Sequence, residues 1–519
     1  MSHKFNLIVT AALCVGFAQG QSQNAPSVSQ VLMYSATMPN LTVPTSTGVG
    51  GTTLPRSVAS IFTETATTAN LGDATASAIN NAANYSISRN IVQLNNALNA
   101  SIATALSIIP LSSPASGVIV RKDPATGAEL PVSSTLGPIF TERAETIGKG
   151  NFYVGFSNQD FHFTKFNGTS LNSLSILYTG GDPSKVVLGS PLSTVPATFG
   201  LGLDVRLSQD IAFFTYGVTD RVDVSLGLPV IHAAVSGRMY NGMIYAGNGV
   251  GTNGSTCWCA NTFTPGFPTL IQPQIGSASQ GKTGLGDVLV RVKATVYRSS
   301  TAVVAVGGDL RLPTGDEANY LGVGTTTVKP FTAVSFYTKP LRNNIVLSPH
   351  FDVGWQFSGK STLGGELQGT PMTQSTATGN INYVAAPFFS TKGYLPDVFS
   401  WAAGTELAFG RHNTFIADIL GNQVGWIHGI PNATMQTISN VLLPTGPNGD
   451  GSGAAVPVKG SASGLVSAGR VSFGQYSASL GYKARINQNL VANFNVVLRL
   501  DNNGLVARAV PMVGLGYSF

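Results

Sequence analysis

The chain has 519 residues, a formal net charge of +6 and only 10% charged side chains, against 60 glycines. Soluble domains average about 25% charged residues, so a chain this poor in charge needs somewhere to put an uncharged surface, and lipid is the obvious place. No run after residue 20 reaches the roughly 18–20 apolar residues of a spanning helix. No Lys/Arg run of five points to nucleic acid. Only helices and closed barrels satisfy every backbone group in lipid, so a barrel remains.

Residues 1–20 read as a secretory signal peptide. His3 and Lys4 give a polar start, Leu7 to Phe17 an apolar core, and Ala18-Gln19-Gly20 a small-x-small cleavage site. Leu13 before Cys14 argues against lipidation there. Residues 21–149 are expected to form a flexible and helical N-terminal segment, a possible plug. Within it, 21–72 is a Ser/Thr/Asn/Pro-rich lead-in. From Asp73 to Ile109 the period changes. Ile87, Ile91, Leu94, Leu98, Ile102, Ala105 and Ile109 form one helical stripe, with Asp73 as cap and Pro110 as stop. The opposite face (Asn81, Asn84, Ser88, Asn95, Asn99) is polar, with Arg89 its only charge. A helix lodged in a polar lumen would suit both faces; an oligomer contact or a loose helix is the rival reading. Residues 110–149 read as a Pro/Ser/Gly-rich connector.

Residues 150–519 alternate with a period of two. Leu201, Leu203, Val205 and Leu207 oppose Asp204, Arg206 and Ser208; Val222, Val224 and Leu226 oppose Asp223 and Ser225. The same holds through Phe519, Tyr517, Leu515 and Val513 against Gly516 and Gly514. Such alternation reads as apolar outside and polar lumen inside. The expected fold is an all-β transmembrane barrel of about twelve antiparallel strands: 150–167, 199–218, 221–232, 285–298, 301–313, 327–338, 344–358, 397–409, 412–424, 470–483, 489–500 and 507–519. Long connections (168–198, 233–284, 359–396, 425–469) alternate with short ones, the asymmetry of outer-membrane barrels. Phase breaks at Asn158–Asp160 and Gln209–Asp210 allow fourteen strands instead. Several strands exceed the roughly 9–11 residues of a minimal span and should project beyond the membrane. Phe519 and Tyr517, on the last strand, resemble the signal that barrel assembly machinery reads.

Gly276 to Thr283 (GSASQGKT) matches the phosphate-binding loop pattern. That chemistry needs a buried strand before the loop and a helix after it. Here prolines precede it and a period-two segment follows, so no nucleotide is expected. Cys257 and Cys259, flanking Trp258, read as a loop pair in an oxidising compartment, not a metal site. His232, His350, His412 and His428 are scattered, and no nucleophile or metal motif accompanies them. No enzyme activity and no cofactor are expected.

The inward phase carries the candidate lumen-lining residues: Asp204, Arg206, Asp223, Asp287, Arg291, Lys293, Asp309, Arg311, Asp352, Glu406, Lys483 and Arg499. A charge facing lipid costs about 2–4 kcal/mol at mid-depth, so the phase that turns them inside is favoured. They can pair across the lumen and stiffen the wall, or line a permeation path. Mixed signs argue against a strongly ion-selective pore.

Tyr216 to Asp223 (YGVTDRVD), Gly227-Leu228-Pro229, Thr283 to Asp287 (TGLGD) and Leu312 to Asp316 (LPTGD) resemble recurrent pieces of one barrel family. It is the transporter family of the meta-pathway of phenol degradation, distantly like fatty-acid and aromatic-hydrocarbon channels. The likeness spans roughly 135–519. It implies a bacterial outer-membrane channel for passive uptake of small hydrophobic or aromatic molecules, with outer-membrane lipid, assembly machinery and the solute as partners. A plugged structural or adhesive barrel without transport is the alternative. In the channel reading, loops 233–284 and 425–469 form the outer mouth.

Overall fold

The computed structural model describes residues 27–30, 37–43, 52–57, 95–109, 120–122, 129–131, 136–179, 196–244, 269–271, 276–339, 345–365, 367–368, 373–375, 382–384, 389–410, 412–428, 432–442, 455–465 and 470–519. The signal segment 1–20, the helix start at 73–94, Cys257 and Cys259 lie outside the described residues.

Twelve antiparallel strands close into a barrel. They are β1 (Phe152–Phe166), β2 (Pro196–Thr219), β3 (Val222–Ile244), β4 (Leu289–Arg298), β5 (Ala302–Arg311), β6 (Thr327–Phe336), β7 (Ile345–Ser358), β8 (Val398–Phe409), β9 (Asn413–His428), β10 (Arg470–Arg485), β11 (Leu490–Arg499) and β12 (Ala509–Ser518). β12 closes on β1, from Ser518 opposite Tyr153 to Met512 opposite Gln159. The count is twelve and not fourteen, because β1 and β2 run unbroken through both phase breaks.

The period sets the faces. On β12 Val513, Leu515 and Tyr517 point out while Met512, Gly514 and Gly516 point in. Each of the twelve strands puts a large apolar side chain on the outer surface, from Phe156 to Tyr517. A band around the whole circumference far exceeds the patches that soluble monomers expose, and it suits lipid. Aromatic clusters border it. Phe415 lies 5.5 Å from Phe409 and 5.0 Å from Tyr482 near the short turns. Trp355 lies 5.7 Å from Phe399 nearer the long loops. Among the described residues no helix is long and apolar enough to cross a membrane.

β2 has 24 residues and β3 has 23. At about 3.3 Å per residue β2 extends about 80 Å, well beyond a hydrocarbon core of about 30 Å. The two faces exchange character along it. Near the short turns Tyr216 and Val224 face outward, while Thr215, Asp223 and Ser225 face the lumen. Beyond Gln209 the phase is unchanged but the chemistry inverts: Leu201, Leu203, Val205, Leu207, Ile231 and Val235 turn inward and are buried. There the outer face is polar, with Arg206, Ser208 and His232, and the wall encloses a packed interior.

Gly276–Leu285 pairs along the upper part of β3, Gly276 opposite Met239 and Leu285 opposite Val230. This part of 233–284 is therefore wall, which corrects its reading as loop throughout. The phosphate-loop-like letters lie in that strand, with no helix after them. Between Leu285 and Leu289 the pairing slips by one residue against β3. The bulge shifts the phase and aims Asp287 inward.

Two inserts fill the barrel. Helical residues 95–107 are buried on every side, apolar Leu98, Ile102 and Leu106 as well as polar Asn95, Ser101 and Thr104. Leu98, Ile102 and Leu106 share one apolar cluster with Phe161, Phe163, Leu203 and Val205 of the upper wall. The second insert is residues 136–147, an extended strap in which nearly every residue is buried. The connector reading of 110–149 missed it.

The plugged lumen as candidate functional site

The strap crosses the barrel at its short-turn end, and wall side chains hold its backbone. Lys483 (β10) donates from Nζ to the carbonyls of Pro138 (2.7 Å) and Leu136 (3.3 Å). Glu406 (β8) accepts from Gly137 N–H at 2.9 Å and Asp352 (β7) from Glu142 N–H at 3.1 Å. Asp223 (β3) accepts from Ile147 N–H at 2.9 Å, and Thr295 (β4) donates to Ala144 O at 2.7 Å. An irregular buried segment leaves its backbone groups unpaired unless side chains supply partners. Here the inward polar phase of the wall supplies them.

Glu142 is the charged centre of the strap. Its carboxylate meets Arg291 Nη1 at 2.5 Å and Lys293 Nζ at 2.8 Å, and Lys293 also donates to Arg143 O at 2.8 Å. Arg291 in turn holds Asp309 bidentately, at 2.6 and 2.7 Å. Tyr337 donates to Glu145. At the end of the strap the chain passes so close to β2 that a Cβ on Gly217 would meet Gly148 O at 1.8 Å.

The helix is held from the long-loop end. Arg311 (β5) donates to Leu106 O at 3.0 Å, satisfying a carbonyl that the helix terminus leaves free. Loop 314–326 dips inward, and Asp287 fastens it by accepting from Gly315 N–H (3.0 Å) and Val323 N–H (2.8 Å). Tyr320 of that loop donates to Asn99. Burial pushes its hydroxyl pKa up, so it stays a neutral donor. Val28, far away in sequence, is buried in the same cluster and donates to Asn319 Oδ1 at 3.1 Å.

Between helix and strap lies a cavity of about 190 Å³. Its lining mixes apolar Ile109, Phe140, Phe161, Phe163, Phe331 and Leu420 with charged Arg291, Asp309, Arg311, Lys329, Asp352 and Arg499, and the Arg291 guanidinium lies 5.2 Å from the Phe331 ring centre.

The structure turns Asp223, Asp287, Arg291, Lys293, Asp309, Arg311, Asp352, Glu406, Lys483 and Arg499 toward the interior, where all but Arg499 touch an insert, an inward loop or, for Asp309, Arg291. Arg499 lines the cavity and pairs with Asp501 at 3.2 Å. Asp204 and Arg206 are corrections. They lie on the outer face, paired with each other at 3.1 Å with side chains 37% and 63% exposed. The two-residue period holds there, but beyond Gln209 its apolar phase is the inward one and its polar phase the outward one.

Lys329 and the pair His350–Asp418 were not singled out from sequence. His350 Nε2 lies 2.8 Å from Asp418 Oδ1 and its Nδ1 3.3 Å from Ser348 O. Both ring nitrogens face acceptors, so the ring braces two strands of the wall. A Cβ on Gly404 would meet Asp418 Oδ1 at 2.0 Å, so glycine makes room for the pair. His232 lies on the outer face, 3.5 Å from Asp210. Among the described residues no group of three His, Cys, Asp or Glu could hold a metal ion. The strap had a sequence signal, three charges in the four residues Glu142 to Glu145 of a chain with 10% charge.

Residues 193–392 match the family described as "Putative MetA-pathway of phenol degradation". All four motifs named above fall inside that stretch, and the resemblance read from them is borne out there. No curated protein matches the chain. Among solved structures, the COG4313 outer membrane channel from Pseudomonas putida F1 aligns with 72% of this chain and 98% of its own, at 10% identity and TM-score 0.36. The CymD monoaromatic hydrocarbon channel aligns over 79% and 97%, at 10% identity and 0.28. The Ralstonia pickettii toluene transporter TbuX aligns over 72% and 89%, at 10% identity and 0.27. Likeness this distant says nothing about what this chain carries.

Proposed function

We propose that the chain is an outer-membrane channel for passive uptake of small hydrophobic or aromatic molecules, closed in this state by its own N-terminal segment. The observation that carries the reading is the plugged lumen itself. A barrel girdled by apolar side chains holds two inserts through side-chain contacts and not through the strand ladder, and leaves a half-apolar cavity between them. Inserts tied that way can leave without breaking the wall. The family match over 193–392 supports the same reading. Outer-membrane lipid and the barrel assembly machinery, reading Phe519 and Tyr517, are the partners.

A second reading has its own support. Glu142, Lys293 and Lys483 are almost fully buried, and a barrel plugged for good would serve structure or adhesion. Flux of an aromatic probe into liposomes separates the two, measured for the mature chain and for one lacking residues 21–147, which removes both inserts. Uptake that rises on truncation supports the channel. Two folded, heat-modifiable barrels with no flux of any probe support the permanent plug.

A further inference from the structure

The charges around the cavity are not balanced. Arg291, Arg311, Lys329 and Arg499 line it against Glu142, Asp309 and Asp352, one positive charge in excess. The acids are engaged. Glu142 holds Arg291 and Lys293, Asp309 holds Arg291 with both oxygens, and Asp352 accepts from the Glu142 backbone. Arg499 is taken by Asp501 and Asn503 O. Lys329 differs. Among the described residues its ammonium makes no hydrogen bond and no close ion pair, and Asp309 and Asp352 act on it only from a longer distance. Asp309, opposite it on β5, is turned to Arg291. The Lys329 stem passes over Gly354, where a Cβ would meet its Cε at 2.7 Å. Arg311, two residues along β5 from Asp309, spends one nitrogen on a neutral carbonyl, Leu106 O.

We infer that this cavity is a binding site for a small aromatic carboxylate, its ring against Phe140, Phe161, Phe163 and Phe331 and its anionic end on Lys329 and Arg311. The inference rests on the channel reading and narrows its solute from a hydrocarbon to an amphipathic anion. The volume agrees: an apolar cavity of about 150 Å³ holds benzene, and about 190 Å³ leaves room for one substituent. A carboxylate gains charge-assisted hydrogen bonds from both cations, which are only partly exposed. A neutral hydrocarbon would offer the ammonium no acceptor and leave it only the longer-range attraction of Asp309 and Asp352. Recruiting Arg311 would also draw it from Leu106 O, so the anion would loosen the helix as it binds.

The test is equilibrium dialysis of benzoate and benzamide, near-isosteric and differing in charge, against the folded full chain in detergent. Lys329→Met and Lys329→Arg are compared with the parent, and heat-modifiable mobility establishes that each variant folds. Benzoate should bind about tenfold tighter than benzamide or more, the worth of one charge-assisted contact. Lys329→Met should abolish the preference and Lys329→Arg should keep it. Equal binding of the two probes, binding of neither, or a preference that survives Lys329→Met overturns the inference. Dialysis reads binding without passage. Benzoate preference with no liposome flux would therefore sink the channel and leave the site. Flux without preference would do the reverse.

Discussion

The strap makes a quantitative prediction through Glu142. Glu142→Gln keeps the shape and removes the charge that Arg291 and Lys293 share. The three side chains are 6%, 11% and 3% exposed, so water does little to screen the pair. Removing one partner of a buried ion pair costs about 3–5 kcal/mol. The amide oxygen still accepts one bond, which puts the loss near about 3 kcal/mol. The cost falls on the strap-bound state alone, because water reaches Arg291 and Lys293 once the strap leaves. The bound-to-released ratio should then fall about a hundredfold. Two assays read it. Open probability in planar bilayers should rise, and trypsin should cut after Arg143 correspondingly faster. The melting temperature of the barrel should change little, since the strand ladder is untouched. A folded Glu142→Gln chain with unchanged conductance and unchanged cutting after Arg143 would refute the idea that this contact holds the lumen shut.

Other consequences follow from the same geometry. Leu480 faces outward on β10, 58% exposed; Leu480→Arg should cost about 2–4 kcal/mol if it lies at mid-depth, whereas Arg206→Leu, above the band, should change folding stability by less than about 0.5 kcal/mol. Urea unfolding in lipid vesicles compares them, and equal losses would contradict the position of the lipid boundary. Gly404→Ala forces a methyl into Asp418 Oδ1 and His350 Nε2, and should destabilise the barrel by about 1–3 kcal/mol, seen as a lower temperature of heat-modifiability. An unchanged temperature would mean that the pair is free to move. Deleting Phe519 removes its contact with Phe152 at 5.8 Å; the assembled fraction in cells should fall while refolding into detergent proceeds. Normal assembly in cells would end the reading of Phe519 as a signal.

What could be read without the structure was whatever depends on local period. Alternation is a property of neighbouring residues, so the twelve strands appear in the sequence, mostly within a few residues of their observed bounds. Charge was legible for a related reason: Asp309 and Lys483 could not face lipid wherever the strands met. The sense of each face was not always legible. Leu201 to Leu207 alternate as Val222 to Leu226 do, yet the first group lines a packed interior and the second meets lipid. Which it is depends on the height of the residue in the wall and on what fills the barrel beside it, and neither is local. The strap shows the limit most clearly. Residues 136–147 have no period, because their backbone partners belong to strands 70 to 350 residues further on. Only the closed barrel brings Asp223, Arg291 and Lys483 within reach of the one strap. The sequence by itself determined a lipid-girdled wall with charges turned inward; the tertiary structure alone decided that most of those charges grip the chain's own N-terminal segment.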